Sequence, residues 1–143
     1  NLEETGMGYD KEVEMIREAS DQGMLTCPYV FSEEQAREMT AAGADVIVSH
    51  MGLTTSGDIG AETALDLEAA AERVQDHHDA AKEVNEDVMV ICHGGPIAWP
   101  DDAAYVLDNT EGVVGFFGAS SIERLPTEEA IENQTREFKE LDL

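Results

Sequence analysis

The chain has 143 residues, enough for one compact domain with a core of its own and too few for two ordinary ones. Thirty-two acidic side chains stand against eight basic ones, giving a net charge of -24. So few Lys and Arg exclude a surface built to neutralise the phosphates of nucleic acid or of an anionic membrane.

In chain order, Asn1 to Gly8 reads as the end of a strand and the loop that trails it, with the body of that strand expected upstream. Asp10 to Gln22 has helical period. Met24 to Phe31 (MLTCPYVF) is a short apolar run and reads as a strand. Ser32 to Ala42 follows as a helix, opened by a capping box between Ser32 and Gln35 and stopped by Gly43 in the left-handed region. Asp45 to His50 (DVIVSH) is the next strand. Ala61 to Val84 reads as a long helix, because Leu67, Ala70, Val74, Ala81 and Val84 recur at three- and four-residue steps with acids between them. Asp87 to His93 (DVMVICH) and Gly112 to Gly118 (GVVGFFG) are two further strands, separated by a helix over Asp101 to Asn109. A last helix covers Thr127 to Leu141, with Thr127 as its cap ahead of Glu128 and Glu129.

The four apolar runs are expected to be buried on both faces, as in a parallel sheet covered by helices. Met15, Met24, Met39 and Met89 read as core filler, and Cys27 and Cys92 as buried free thiols of a reducing compartment. No run approaches the roughly 18 apolar residues of a membrane span, and no signal peptide precedes the first helix. The acids spread over the whole sequence while only Lys11, Lys82 and Lys139 are lysines. That balance suits a cytoplasmic protein of a salt-in halophile, where counterions screen self-repulsion.

Strand and helix alternate throughout, which gives an α/β fold with about four parallel strands and five helices, residues 1–143 forming a single domain. Such a unit is either a small open doubly wound sheet or half of a (β/α)8 barrel, and in both the ligand sits at the carboxyl ends of the strands.

The loops at those ends carry the chemistry. Glu3 to Tyr9 offers two glycines and Glu4, a candidate for binding a metal or a hydroxyl. His50 opens a long loop, HMGLTTSGDIG, dense in Gly and hydroxyls. His93 takes the same place on the following strand, ahead of Gly94 and Gly95, whose backbone N–H groups suit a phosphate or carboxylate oxygen. The last loop holds Gly118, Ala119, Ser120, Ser121 and Arg124, small residues, hydroxyls and a guanidinium that suit an anion. An ion pair with one of the abundant acids competes for Arg124. His77 and His78 are adjacent on a helix, face different directions, and read as packed or solvated. Trp99 reads as loop packing. In barrels the loops after the last two strands frequently cradle phosphate, and here those loops are GGP and GASS. That favours the half-barrel.

The ordered strings LEETGMGY, TCPYVF, HMGLTTSGDIGA, CHGGPI and GFFGASSIERLP resemble the phosphoenolpyruvate hydrolase-like TIM-barrel proteins, and the same domain resembles the C-terminal part of certain plant antiviral resistance proteins. The resemblance runs from Leu2 to about Lys139. It implies a TIM-barrel fold of which this chain is the second half, beginning after the fourth strand. A half-barrel leaves two sheet edges open, so a homo-oligomer or association with the absent half is expected. The expected function is an enzyme acting on a small anionic metabolite of the phosphoenolpyruvate type, by hydrolase or lyase-like chemistry. His50, His93 and Glu4 are its candidate acid–base groups or the ligands of a divalent metal ion. A non-catalytic metabolite-binding sensor or a regulatory/interaction module is the alternative.

Overall fold

The computed structural model describes residues 3–58, 60 and 65–141. A single 3-10 turn at Glu3–Thr5, in the segment read as a strand end, leads into α1 (Tyr9–Asp21). Then follow β1 (Tyr29–Val30), α2 (Glu33–Ala41), β2 (Val46–His50), α3 (Leu67–Lys82), β3 (Met89–His93), α4 (Pro100–Asp108), α5 (Ser120–Glu123) and α6 (Leu125–Lys139). Helices intervene between successive strands, and the sheet is accordingly parallel in the order β1-β2-β3. Its register sets Tyr29 beside Val48, Val48 beside Ile91, and His50 beside His93.

Three strands form where the sequence suggests four, and each shortfall has a local cause. In the first run, Val46 N–H bonds to the Thr26 carbonyl and Val48 N–H to the Pro28 carbonyl, so the chain already lies along β2 from Thr26. Pro28 has no N–H to return a bond, and the regular ladder starts only at Tyr29. In the last run, Phe116 forms an isolated parallel bridge with Cys92, with Cys92 N–H on the Gly115 carbonyl and Phe117 N–H on the Cys92 carbonyl. One step back, Val114 N–H bonds to the Val90 carbonyl, a register one residue shorter. The 112–118 segment therefore carries one extra residue around Val114 and Gly115, the signature of a bulge, and it lies along β3 without a continuous ladder.

The five longer helices arise where period and caps place them. Ser32 Oγ accepts from Gln35 N–H at 3.2 Å, while the Gln35 side-chain oxygen accepts from Phe31 N–H at 2.8 Å, a capping box displaced by one residue. Gly43 ends the α2 turn at a φ of 95°. α3 begins at Leu67 because Asp66 Oδ1 accepts from Ala69 N–H at 2.8 Å; the earlier start at Ala61 lies outside the described residues. α6 begins at Leu125, ahead of the Thr127 cap expected from sequence, because Pro126 suits a first helical turn. Thr127 is inside the helix and its hydroxyl donates to the Glu123 carbonyl at 2.8 Å.

The core lies on one face of the sheet. Val30, Ile47 and Val90 pack with Val13, Ile16, Ala36 and Met39 of α1 and α2, and Cys92 packs with Ala70, Val74, Ile97 and Val106 of the α3 and α4 region. Of the strands expected to be buried on both faces, β2 is, with Ile47, Val48 and Ser49 all at 0% exposure, whereas alternate residues of the first run are exposed, with Leu25 at 78% and Phe31 at 50%. The same alternation puts Cys27 at the surface while Cys92 is buried. Of the four methionines read as core, only Met39 is buried; Met15, Met24 and Met89 are exposed. The helices cover one side of the sheet; on the other, more open side Tyr29, Phe31 and Met89 are exposed, while Val48 of the central strand and His93 are buried.

Candidate functional site

Side chains alternate along a strand, so residues paired across a parallel sheet share a face. Ser49, paired with Cys92, looks toward the helices, and its hydroxyl meets His77 Nδ1 of α3 at 2.7 Å inside the core. His50 and His93, one residue further along, therefore point to the open face. Their ring centroids are 4.7 Å apart at 78°.

Three aromatic side chains frame the pair. Tyr29 stacks flat on His93, with centroids 5.0 Å apart and an interplanar angle of 5°, and meets His50 edge-on at 4.8 Å. Phe31 leans on His50 at 4.9 Å, and Phe117 meets His93 edge-on at 5.7 Å. The sequence reading missed these three, because an aromatic residue in a Val- and Ile-rich run looks like core. Period-two spacing from Tyr29 to Phe31 is the signal that places both with the histidines. Burial, and then the neighbouring His93, hold the His50 imidazole below the usual histidine range, so it stays neutral around neutral pH.

Backbone partners fix the ring orientations. His93 Nδ1 lies 2.6 Å from the Phe117 carbonyl, and Gly52 N–H donates to His50 Nδ1 at 2.9 Å. The strand-end loops are tied together at the same place. Gly95 N–H bonds to the Gly52 carbonyl at 2.8 Å and Thr55 N–H to the Gly95 carbonyl. Gly94 and Gly95 have φ of 75° and 60°, and a Cβ on Gly95 would collide with the Met51 carbonyl. These glycines thus let two loops close on each other, and the Gly95 amide expected to hold an anion already has a backbone partner.

Arg124 has a structural role too. Its guanidinium pairs with Glu128 at 2.8 Å and donates to the Ser56 carbonyl at 2.9 Å, while Glu128 also accepts from Asp58 N–H. The pairing with Arg124 holds the Glu128 carboxyl below the usual carboxylate range. The ion pair, spaced i,i+4 from the cap residue into α6, takes the group that an anion clamp would need, and Arg124 staples the long loop to α6.

Gly118 and Ala119 lead directly into α5, where Ser120 and Ser121 form part of a single helical turn and the Ala119 carbonyl accepts from Ile122 N–H at 2.8 Å. Ser121 Oγ is closed off from solvent with no hydrogen-bond partner among the described residues. Glu4 sits exposed in the 3-10 turn. Among the described residues no three His, Cys, Asp or Glu side chains gather as a metal-binding group, so Glu4 does not join the two histidines.

The profile of the family described as phosphoenolpyruvate hydrolase-like matches residues 1–141. The chain belongs to the phosphoenolpyruvate hydrolase-like family. Within it, the chain is 56% identical over 143 residues to the ToMV susceptible protein tm-1(GCR26) of Solanum lycopersicum, a match covering all of this chain and 19% of that protein. It is 55% identical over the same length to the ToMV resistance protein Tm-1(GCR237) of the same plant, again 19% of the relative. The chain thus spans about a fifth of the length of these curated relatives. Among solved structures it is similar to the N-acetylmannosamine-6-phosphate 2-epimerase of Clostridium perfringens, with a TM-score of 0.50 and 18% identity over 88% of this chain and 48% of that one. That likeness is one of fold: the neighbour is a TIM-barrel protein, and the three strands with their helices form part of such a barrel.

Proposed function

We propose that the open face carries the ligand site of an enzyme acting on a small phosphorylated or carboxylated metabolite of the phosphoenolpyruvate type, by hydrolase or lyase-like chemistry. One observation carries this reading: two imidazoles at register-matched strand ends, 4.7 Å apart, stand on the uncovered side of the sheet beside the loops. In a barrel that is the end where ligands bind. His50 and His93 are the acid–base groups, and the backbone of Gly118, Ala119 and Ser120, next along the chain from the Phe117 carbonyl that anchors His93, holds the anion. Phosphate release from phosphoenolpyruvate in molar salt tests this. His93→Ala is expected to lower turnover about 100-fold or more with the fold intact; full activity in that variant contradicts the assignment.

A second reading is favoured by the relatives, which are named for susceptibility and resistance to a virus. In it the same face binds the metabolite as a sensor and no reaction follows. Binding of phosphoenolpyruvate by calorimetry without phosphate release supports this version.

The open face and the outer edges of β1 and of the 112–118 segment support a homo-oligomer, in which strands of a second copy cover the face. Light scattering is expected to give a dimer; a monomer that dimerises only on adding a complementary half-barrel chain assigns the cover to that chain. The charge of -24 supports a habitat in molar salt. Lowering salt below about 0.5 M is expected to unfold the chain as the screening length grows.

A further inference from the structure

The two histidines are bonded to backbone groups whose roles cannot be exchanged. A carbonyl oxygen only accepts, so the 2.6 Å contact with Phe117 puts the proton of neutral His93 on Nδ1 and leaves Nε2 with a free lone pair. A backbone N–H only donates, so the 2.9 Å bond from Gly52 makes His50 Nδ1 the acceptor and puts the His50 proton on Nε2. Neither Nε2 has a hydrogen-bond partner among the described residues, and neither is among the buried partnerless atoms, which are His78 Nε2 and Ser121 Oγ. Both Nε2 atoms thus lack a protein partner among the described residues on the side away from the helices, one as a donor and the other as an acceptor, with His93 7% exposed.

The surroundings make this difference a difference in chemistry. If His50 gained a second proton, it would sit on Nδ1 and confront the Gly52 N–H. If His93 gained one, its Nδ1–H bond to the Phe117 carbonyl would strengthen and the flat face of Tyr29 would lie against the cation. The geometry sets His93 Nε2 as an acceptor and His50 Nε2–H as a hydrogen-bond donor.

We propose that His50 and His93 form a pair of opposite tautomers that enolises a small carbonyl compound, a 2-oxo acid being the class that fits, with His93 Nε2 as the base and His50 Nε2–H as the donor to the carbonyl oxygen. This deepens the reading that the open face binds a small carboxylated metabolite, and it rests on that reading. In the step, the lone pair of His93 Nε2 takes a proton from the carbon next to the carbonyl. The C–H electron pair becomes the C=C bond, and the carbonyl π pair moves onto oxygen. The products are an enolate, held by the His50 Nε2–H bond, and the His93 imidazolium. Return of a proton from His93 to carbon regenerates the ketone, so no oxidant, reductant or leaving group takes part. The same donor suits the enol oxygen of phosphoenolpyruvate. A His50 that keeps its proton on Nε2 offers no lone pair there to a metal ion, in line with the absence of a third ligand among the described residues.

Two measurements on the whole chain test the pair. Nitrogen-15 histidine spectra of the wild type, assigned with His50→Ala, His77→Gln and His78→Gln, read which ring nitrogen carries each proton. The expected result is Nε2 for His50 and Nδ1 for His93; the same tautomer on both overturns the proposal. The second follows deuterium exchange into the methyl group of pyruvate in heavy water, beside pyruvate and phosphoenolpyruvate binding by calorimetry. The wild type is expected to exchange the methyl protons well above buffer. His93→Ala and His93→Gln should both lower the rate about 100-fold or more, and His50→Ala about 100-fold, with His78→Gln unchanged. Pyruvate that binds without exchange overturns the enolising pair and leaves the metabolite site standing. If neither compound binds, both readings fall.

Discussion

The two faces of one sheet hold two histidine arrangements of opposite character. On the covered face His77 is 2% exposed, bonded to Ser49 and enclosed by α3 and the core; burial, and then Arg73, push its pKa down to about 4. On the open face His50 and His93 lie only one strand position beyond Ser49 and Cys92, yet on the side away from the helices. A step of one residue along a strand thus separates the side that holds the Ser49–His77 contact from the side that holds the two histidines proposed for chemistry. Both His77 and His93 are buried and hydrogen-bonded, so the difference lies in the side of the sheet each ring occupies and not in burial itself.

The contrast can be broken most sharply through pH. The folded pKa of His77 is depressed from 6.5 to about 4, so its contribution is fully present above pH 6.5. It is lost as pH falls from there toward 4, because the unfolded chain takes up the proton first. The expected loss is roughly 3 kcal/mol over that window. Chemical unfolding in molar salt checks it, with His77→Gln flattening most of that part of the profile and His50→Gln removing only the part that its own lowered pKa contributes. A profile unaltered by His77→Gln contradicts the assignment.

A smaller effect is expected at the joint between the two strand-end loops. Gly95→Ala puts a side chain at a φ of 60° and against the Met51 carbonyl, and is expected to cost about 2 kcal/mol in unfolding free energy. Because that joint sets the loop carrying Gly52, the donor to His50, the variant should also disturb the His50 ring signal before it disturbs His77. Removing the staple, Arg124→Ala, frees the Ser56 carbonyl and Glu128 and is expected to cost about 1 kcal/mol, with faster proteolysis in residues 53–58 as its readout. The mildest test leaves the sequence untouched. Cys27 on the open face is expected to react with a thiol reagent in the folded monomer and to be protected in a dimer that covers this face, whereas Cys92, buried and with its pKa pushed up to about 11, should react only on unfolding.

Much of this contrast is legible in the sequence. Strand and helix alternation, the Ser32 and Gln35 cap and the Gly43 stop are local signals, and local chemistry realises them. His50 and His93 each end an apolar run, so their placement at neighbouring strand ends follows from counting. Their exact register does not, since it depends on cross-strand bonds such as Met51 N–H to the His93 carbonyl. The sidedness of the sheet is likewise hidden: Leu25, Phe31 and Met89 look like core in a run of apolar residues, and only the helices packed against the other face reveal that they are exposed. Pro28 was visible, yet its effect on β1 depends on which edge its missing N–H would have faced. The register slip at Val114 and Gly115 has no sequence marker beyond a glycine. Arg124 is the reverse case, because Glu128 four residues on is a readable partner and the ion pair is what forms.

The central claim, that the open face is the working face, is tested most directly by adding phosphoenolpyruvate to the labelled protein in molar salt and mapping which side-chain signals move. The account predicts saturable shifts at His50, His93, Tyr29 and Phe117, with His77 and Cys92 on the covered face unmoved. Saturation with shifts confined to the helices, or no shift at any of the four, would contradict it.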